Sequence, residues 1–224
     1  MMKIQFASAY PIIYRLLAPT FPGCLWGGNR NSCDIALSFD DGPHPQYTAQ
    51  LLQVLDKYQV TASFFWLGLW VQRYPEIARE VSDRQHWIGL HGYDHQNFPL
   101  LSSQELQESL LRTQEAIYHS CNLHPSQVRD VRPPNGLFTP QTLKLLNEWN
   151  YRPVMWSVVP EDWVRPGVEV AVNRVMQQVT GGSLIVLHDG MFGGQDVAAT
   201  AEILIPRLLQ QGYNFVSVDD LWRS

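Results

Sequence analysis

From Asp34 onward the chain alternates two hydrophobic periods, and this alternation restricts the fold more than any single motif does. Short β-rich runs recur along it: DIALSF, TASFFWL, HWIGLH, DVRP, YRPVMWSV, SLIVLH and NFVSV. Stretches with helical spacing lie between most of them. Leu51, Leu52, Leu55 and Tyr58 share a helical face after a Thr48 cap, and Ser102 or Ser103 opens a helix reaching to about residue 119. Thr139, with Pro140 at the first helical position, opens another. Later helices are expected over roughly 168–179 and 196–211, the last closed by Gly212. Strands separated by helices imply parallel βα units, and continuous apolar runs such as SLIVL imply strands buried on both faces. A single barrel-like α/β domain follows, with no linker, repeat or composition break to divide it.

The 224 residues, 45% hydrophobic and 17% charged, supply one sizeable core and leave no low-complexity tract. The formal net charge of -5, without a cluster of Lys and Arg, excludes a nucleic-acid partner, which requires a basic stripe to neutralise phosphates. A neutral substrate fits better. Eight Trp and nine Tyr suit a groove that stacks on sugars as well as they suit a core. The three cysteines show no C-x-x-C spacing, which argues against a zinc ribbon or a disulfide scaffold. At most one bridge can form, and pairing of Cys24 with Cys33 is left open.

Near the N-terminus, Lys3 precedes the uncharged stretch IQFASAYPIIY, which Pro11 interrupts and Arg15 closes. Ala7 and Ala9 come too early to mark a cleavage site after an apolar centre, so no cleaved secretory signal is expected. The expectation is an N-terminal segment, residues 1–33, packed on a domain of residues 34–224, with an amphipathic helix over residues 8–18. No apolar run approaches the roughly 20 residues of a membrane span. A monomer is expected.

In parallel barrels the chemistry gathers where each strand ends and the next loop begins. The polar residues are placed accordingly: Asp40 and Asp41 after strand one, His91 and His95 after strand three, Arg132 after strand four, Asp162 beyond strand five, His188 and Asp189 after strand six. FDDGP alone is also good turn chemistry. Two histidines and a carboxylate form a common tripod for a catalytic metal, although histidines four apart are equally at home on a surface or in a core. Asp94, between them, is either a further ligand or a solvent-facing residue. Arg132 runs directly into two prolines that fix its backbone, as suits a side chain holding a carboxylate in one orientation. His188 is a candidate general acid if a carboxylate partner raises its pKa.

Taken in order, SFDDGP, HGYDH, RPPNG, VPEDW and LHD resemble the five sequence blocks of the polysaccharide deacetylases, the NodB-homology or family 4 carbohydrate esterases. The resemblance covers about residues 34–222 and implies a distorted (β/α) barrel with fewer than eight regular strands, in agreement with the strands counted above. It implies Asp41, His91 and His95 as ligands of a divalent metal, zinc first and cobalt or another ion as alternatives. By the same resemblance Asp40 is the general base, Arg132 the residue that orients it, His188 the general acid and Asp162 the partner of His188. Trp163 and Leu187 become apolar walls of an acetyl pocket, and Asn135 an oxyanion donor through its backbone N–H. The implied substrate is an N-acetylated glycan, which favours the cell envelope as location and leaves the cytoplasm open. A bell-shaped pH profile is expected, since base and acid must hold opposite protonation states together.

Three positions depart from the family pattern: Gly92 for a Ser or Thr, Asn135 for an aromatic, and Val159 for an Asp. The first is expected to loosen support of a metal ligand and the second to reshape one wall of the groove. None removes a ligand, base or acid. Two other readings stay beside the deacetylase: a hydrolase of small cyclic amides or formamides on the same site, and a metal-free carbohydrate-binding pseudoenzyme.

Overall fold

A computed structural model describes residues 6–224. Seven parallel strands form its centre: β1 (Asp34–Asp40), β2 (Ser63–Trp66), β3 (Trp87–Leu90), β4 (Asp130–Val131), β5 (Arg152–Pro153), β6 (Leu184–His188) and β7 (Asn214–Val216). They order as β5-β4-β3-β2-β1-β6, with β7 pairing the first half of β1. The helices are α1 (Tyr10–Thr20), α2 (Tyr47–Tyr58), α3 (Gly68–Arg73), α4 (Pro75–Asp83), α5 (Ser103–Cys121), α6 (Pro140–Glu148), α7 (Val168–Gln178), α8 (Val197–Gln210) and α9 (Val218–Arg223). The sheet curls into a distorted barrel. Isolated bridges complete it where regular strands give out: Leu25 pairs Val154, Gly27 pairs Ser183 and Val158 pairs Ile185.

The main core lies between the sheet and the helices. Phe39, Phe64, Leu187 and Val131 face outward into it, and Leu51, Leu55, Leu110, Val175 and Leu204 meet them from the helices. Alternation along each strand sends the neighbouring residues inward. In the parallel register of β1 with β6, Ser38 pairs Val186 and Asp40 pairs His188, so these four side chains share the inner face.

Capping follows the sequence closely at two helices. Ser102 and Glu105 form a reciprocal capping box on α5, and Thr139 accepts the Thr142 N–H at 3.0 Å to open α6. At α2 the expectation needs correction. Thr48 lies inside the helix, and the His44 ring caps it instead, its Nδ1 accepting the N–H groups of Gln46 and Tyr47, each at 3.2 Å. Freed from capping, the Thr48 hydroxyl donates to Asp189 at 2.5 Å. The helices α3 and α4 were not foreseen. The three cysteines are unpaired, and no helix among the described residues is long and apolar enough to cross a membrane.

Candidate active site

The strand ends converge on a cavity of about 380 Å³, lined by Asp40, Asp41, His91, His95, Arg132 and His188 among others. Asp40 closes β1, and the next residue, Asp41, turns into the left-handed region with φ of 73°. Two neighbouring carboxylates thereby take different directions. The turn is tight: a Cβ on Gly42 would stand 2.5 Å from both carboxylate oxygens of Asp189.

Arg132 organises one side. The residue is 1% exposed, and its guanidinium carbon sits over the Phe65 ring, 4.0 Å from the centroid. Nη1 donates to Asp40 Oδ1 at 2.5 Å and to Ser38 Oγ at 2.9 Å, while Nη2 donates to the Met155 carbonyl at 2.9 Å. Asp40 is thus gripped by one oxygen, and Oδ2 is left for other partners. The backbone of the same residue has a second task, because the Arg132 carbonyl accepts a hydrogen bond from His91 Nδ1 at 2.7 Å. A carbonyl can only accept, so Nδ1 carries the proton and the neutral His91 ring presents the Nε2 lone pair.

That lone pair faces Asp41 Oδ1 at 3.4 Å, and His95 Nε2 approaches the same oxygen at 3.3 Å. Burial lowers the His91 pKa, against the opposing pull of Asp40 and Asp41. The neutral ring then points an acceptor at an acceptor, and Asp41 Oδ1 is buried with no hydrogen-bond partner. Asp41, His91 and His95 are the one group among the described residues that could hold a metal ion, with ligand atoms within 4.8 Å of one another. A cation resolves the conflict of lone pairs, so the residues fit a divalent metal. Asp94 takes no part: it is exposed and accepts from Gln96 at 2.9 Å.

Across the cavity, Asp162 grips His188 twice. One carboxylate oxygen accepts from ring Nδ1 at 2.8 Å, and the other accepts the backbone N–H at 2.7 Å. Burial alone would lower the pKa of this imidazole. The charge and hydrogen bond of Asp162, reinforced by Asp41 and Asp40, outweigh it and push the value up to about 10. The ring is therefore held as a cation at neutral pH, with Nε2 as its remaining donor. Trp163 packs edge-on against it, the ring centroids 5.0 Å apart.

Of the expected wall residues, Trp163 and Asn135 line the cavity and Leu187 does not. Leu187 is the outward-facing neighbour of His188 and belongs to the main core, and the inward-facing Val186 takes its place at the wall. Asn135 adopts φ of 56°, a conformation Asn tolerates, and donates to Asn97 at 2.8 Å. Its own N–H has no backbone partner among the described residues. Gly92 has φ of 80°, and Ser109 Oγ lies 3.5 Å from where its Cβ would be, accepting the Tyr93 N–H at 2.8 Å. A hydroxyl from α5 therefore stands beside the position that lacks one.

Several further residues at the site had no role assigned from the sequence, Asp189 among them although it was picked out after strand six. Ser38 was legible, being two before Asp40 on the same strand face. Asp189 is fully buried and pushed up to about 7, first by burial and then by Asp41 and Asp40, against the Thr48 hydrogen bond. Tyr10, Trp156 and Phe192 also line the cavity, and no local signal marks them.

Fold and site together define a class: an α/β barrel whose strand ends hold a carboxylate–histidine cluster between an Arg-held carboxylate and an Asp-held imidazole. Residues 27–154 match the family described as polysaccharide deacetylase, and the chain belongs to that family. It is 38% identical over 201 residues to a peptidoglycan-N-acetylglucosamine deacetylase of Bacillus cereus, spanning 88% of this chain and 92% of that protein. Among solved structures it superposes on the Bc1960 peptidoglycan N-acetylglucosamine deacetylase with a TM-score of 0.84 at 28% identity, covering 89% and 92% of the two chains. It also superposes on BA3943 of Bacillus anthracis, a CE4 family pseudoenzyme, with a TM-score of 0.80 at 28% identity, covering 88% and 67%.

Proposed function

We propose that this protein is a divalent-metal-dependent hydrolase that removes N-acetyl groups from an N-acetylated sugar polymer of the peptidoglycan or chitin kind, releasing acetate. The catalytic unit is residues 34–224, and the cell envelope is its place of action. The observation that carries this reading is the unpartnered Asp41 Oδ1 facing two imidazole nitrogens, with an Arg-held carboxylate and an Asp-held imidazole lining the same cavity. Asp41, His91 and His95 would hold the ion, and a two-His, one-carboxylate set suits zinc. When bound, such an ion polarises a carbonyl and makes water acidic enough to deprotonate near neutral pH.

The remaining work falls to the chain itself. Asp40, with Oδ1 tied to Arg132, takes the proton of the attacking water on Oδ2 as the water oxygen bonds to the acetamide carbon. The Asn135 N–H donates to the carbonyl oxygen as negative charge develops on it. The C–N bond then breaks, and His188 Nε2 protonates the departing sugar amine. Asp162 fixes the tautomer and stabilises the imidazolium until that transfer. Trp163 and Val186 form apolar wall for the acetyl methyl. One proton gained by Asp40 and one lost from His188 are exchanged through solvent to reset the site.

The test is acetate release from N-acetylglucosamine oligomers and peptidoglycan fragments by zinc- or cobalt-loaded protein. Release from either substrate supports the reading; metal-loaded protein that releases none overturns it. The likeness to a pseudoenzyme, together with Gly92 in the histidine block, supports a second reading as a metal-free glycan-binding protein. Elemental analysis separates the two, because the second requires purified protein that binds glycan and takes up no metal.

A further inference from the structure

The cavity has one wall that the barrel does not supply. Tyr10 is the first residue of α1, upstream of the region matched by the family, yet it lines the same cavity as Asp40, His91 and His188. Its ring stands edge-on to Trp156 at 5.3 Å and 83°, and to Trp163 at 6.2 Å and 84°. Trp163 in turn packs on His188. Three aromatic rings from separate segments therefore converge beside the general acid.

The position of Tyr10 is actively maintained. The helix α1 has no fully buried residue of its own; half-buried Tyr14, Leu17 and Ala18 pack its later turns on the small cluster around Trp26, and the chain before Tyr10 has a separate hold. Glu161 supplies the tether: only 2% exposed and with left-handed φ of 57°, it accepts the Phe6 N–H through both carboxylate oxygens at 2.8 Å. Arg174 Nη1 lies 3.7 Å from the same carboxylate. A buried carboxylate is costly unless partnered, and this one, directly before Asp162 and Trp163, uses its hydrogen bonds with Phe6 to anchor the chain that carries Tyr10. On the same cavity Asn135, standing where the family pattern has an aromatic, turns its side chain to Asn97. The apolar surface missing there is available from Tyr10.

We propose that Tyr10 is a specificity residue whose ring packs the apolar face of a sugar ring in the bound oligomer, with Glu161 as the residue that positions it. The N-terminal segment thus completes the substrate groove. This rests on the deacetylase reading above for the identity of the ligand.

The full-length protein, wild type and with Tyr10→Ala, Tyr10→Phe or Glu161→Gln, is assayed with an N-acetylglucosamine oligomer in two ways. In metal-loaded protein, acetate release gives kcat and KM separately. In metal-free protein, titration of tryptophan fluorescence with the same oligomer gives Kd, so the inference is decided even if no acetate appears. Tyr10→Ala is expected to raise KM and Kd about five- to tenfold with kcat within about threefold, Tyr10→Phe to stay within about twofold of wild type, and Glu161→Gln to fall between them. Thermal scans establish that Glu161→Gln is folded; Tyr10→Ala, at a half-buried helix position, is the decisive variant. An unchanged Kd in Tyr10→Ala overturns the proposal, as does a Tyr10→Phe variant as weak as Tyr10→Ala. A wild type that binds oligomer and releases no acetate overturns the deacetylase reading and leaves the Kd comparison to decide this one.

Discussion

Asp40 and Asp41 are chemically identical and adjacent, and they differ only in what their backbone dihedrals let them face. Asp40, at the end of β1, meets the Arg132 guanidinium; Asp41, with φ of 73°, meets two imidazoles. Replacing each by Asn is expected to give two kinds of inactive protein. Asp40→Asn keeps its metal and loses about 10²- to 10⁴-fold in kcat, as expected for loss of a general base; Asp41→Asn loses the metal itself. Metal stoichiometry beside acetate release reads both. His188 gives a second expectation. Its pKa is raised, so the acid form is present below that value and activity falls as pH rises through it. A cation on Asp41 offsets part of the carboxylate contribution and brings the alkaline limb of the loaded enzyme below 10. Asp162→Asn removes the largest raising influence while burial remains, so the alkaline limb of kcat/KM moves to lower pH by about one unit or more. A limb that stays in place would show that Asp162 does not set the acid. That Asp40, Asp41, His91, Arg132 and His188 gather in one cavity was legible because each sits at a strand end or one residue beyond it, whereas His95, in the loop after β3, was marked by its spacing from His91. Leu187 was misplaced because a motif does not say which face of a strand its residue takes; alternation from His188 points to Val186.

Among the elements, those with explicit start signals were legible. Thr139 followed by Pro140 specifies a helix start chemically, with one hydroxyl for an orphan N–H and one residue that needs no donor. Thr139→Ala should therefore cost about 1 kcal/mol and lower Tm by about 2–4 °C for a chain of this length, with kcat/KM unchanged. Thermal denaturation with a parallel activity assay checks both halves. The pair α3 and α4 was illegible for the converse reason: α3 has only six residues, too few for a period to show, and Pro75 both ends it and starts its successor. Thr48 misled because a hydroxyl near a helix start suggests a cap, whereas its partner, Asp189, lies 141 positions away. Long-range partners of this kind have no local sequence signal.

At the scale of the molecule, seven short parallel strands do not close a barrel by themselves, and β4 and β5 have only two residues each. Closure falls to irregular chain: residues 25–28 lie against residues 153–155 on one side and 182–183 on the other, with Gly28 N donating to the Gly182 carbonyl at 2.8 Å. The same seam continues the segment that carries α1 and the cavity-lining Tyr10, so the place of that wall rests on a closure the sequence shows only as scattered glycines. Gly182 is the point of the seam to test. Its φ is 74°, and a Cβ there would stand 2.5 Å from the Gly28 carbonyl oxygen. Gly182→Ala must either push the two backbones apart or relieve the left-handed conformation, and both break the Gly28–Gly182 hydrogen bond. Left-handed strain and overpacking together predict a loss of about 2–4 kcal/mol, or roughly 4–16 °C in Tm. A variant that melts with wild type would mean the seam relaxes freely. In that case the segment before β1 is held by its packing in the cluster of Trp26, Leu143 and Met155, by the Leu25 backbone pairing and by the Glu161 tether at Phe6, and substitutions in that small cluster should cost more than Gly182→Ala.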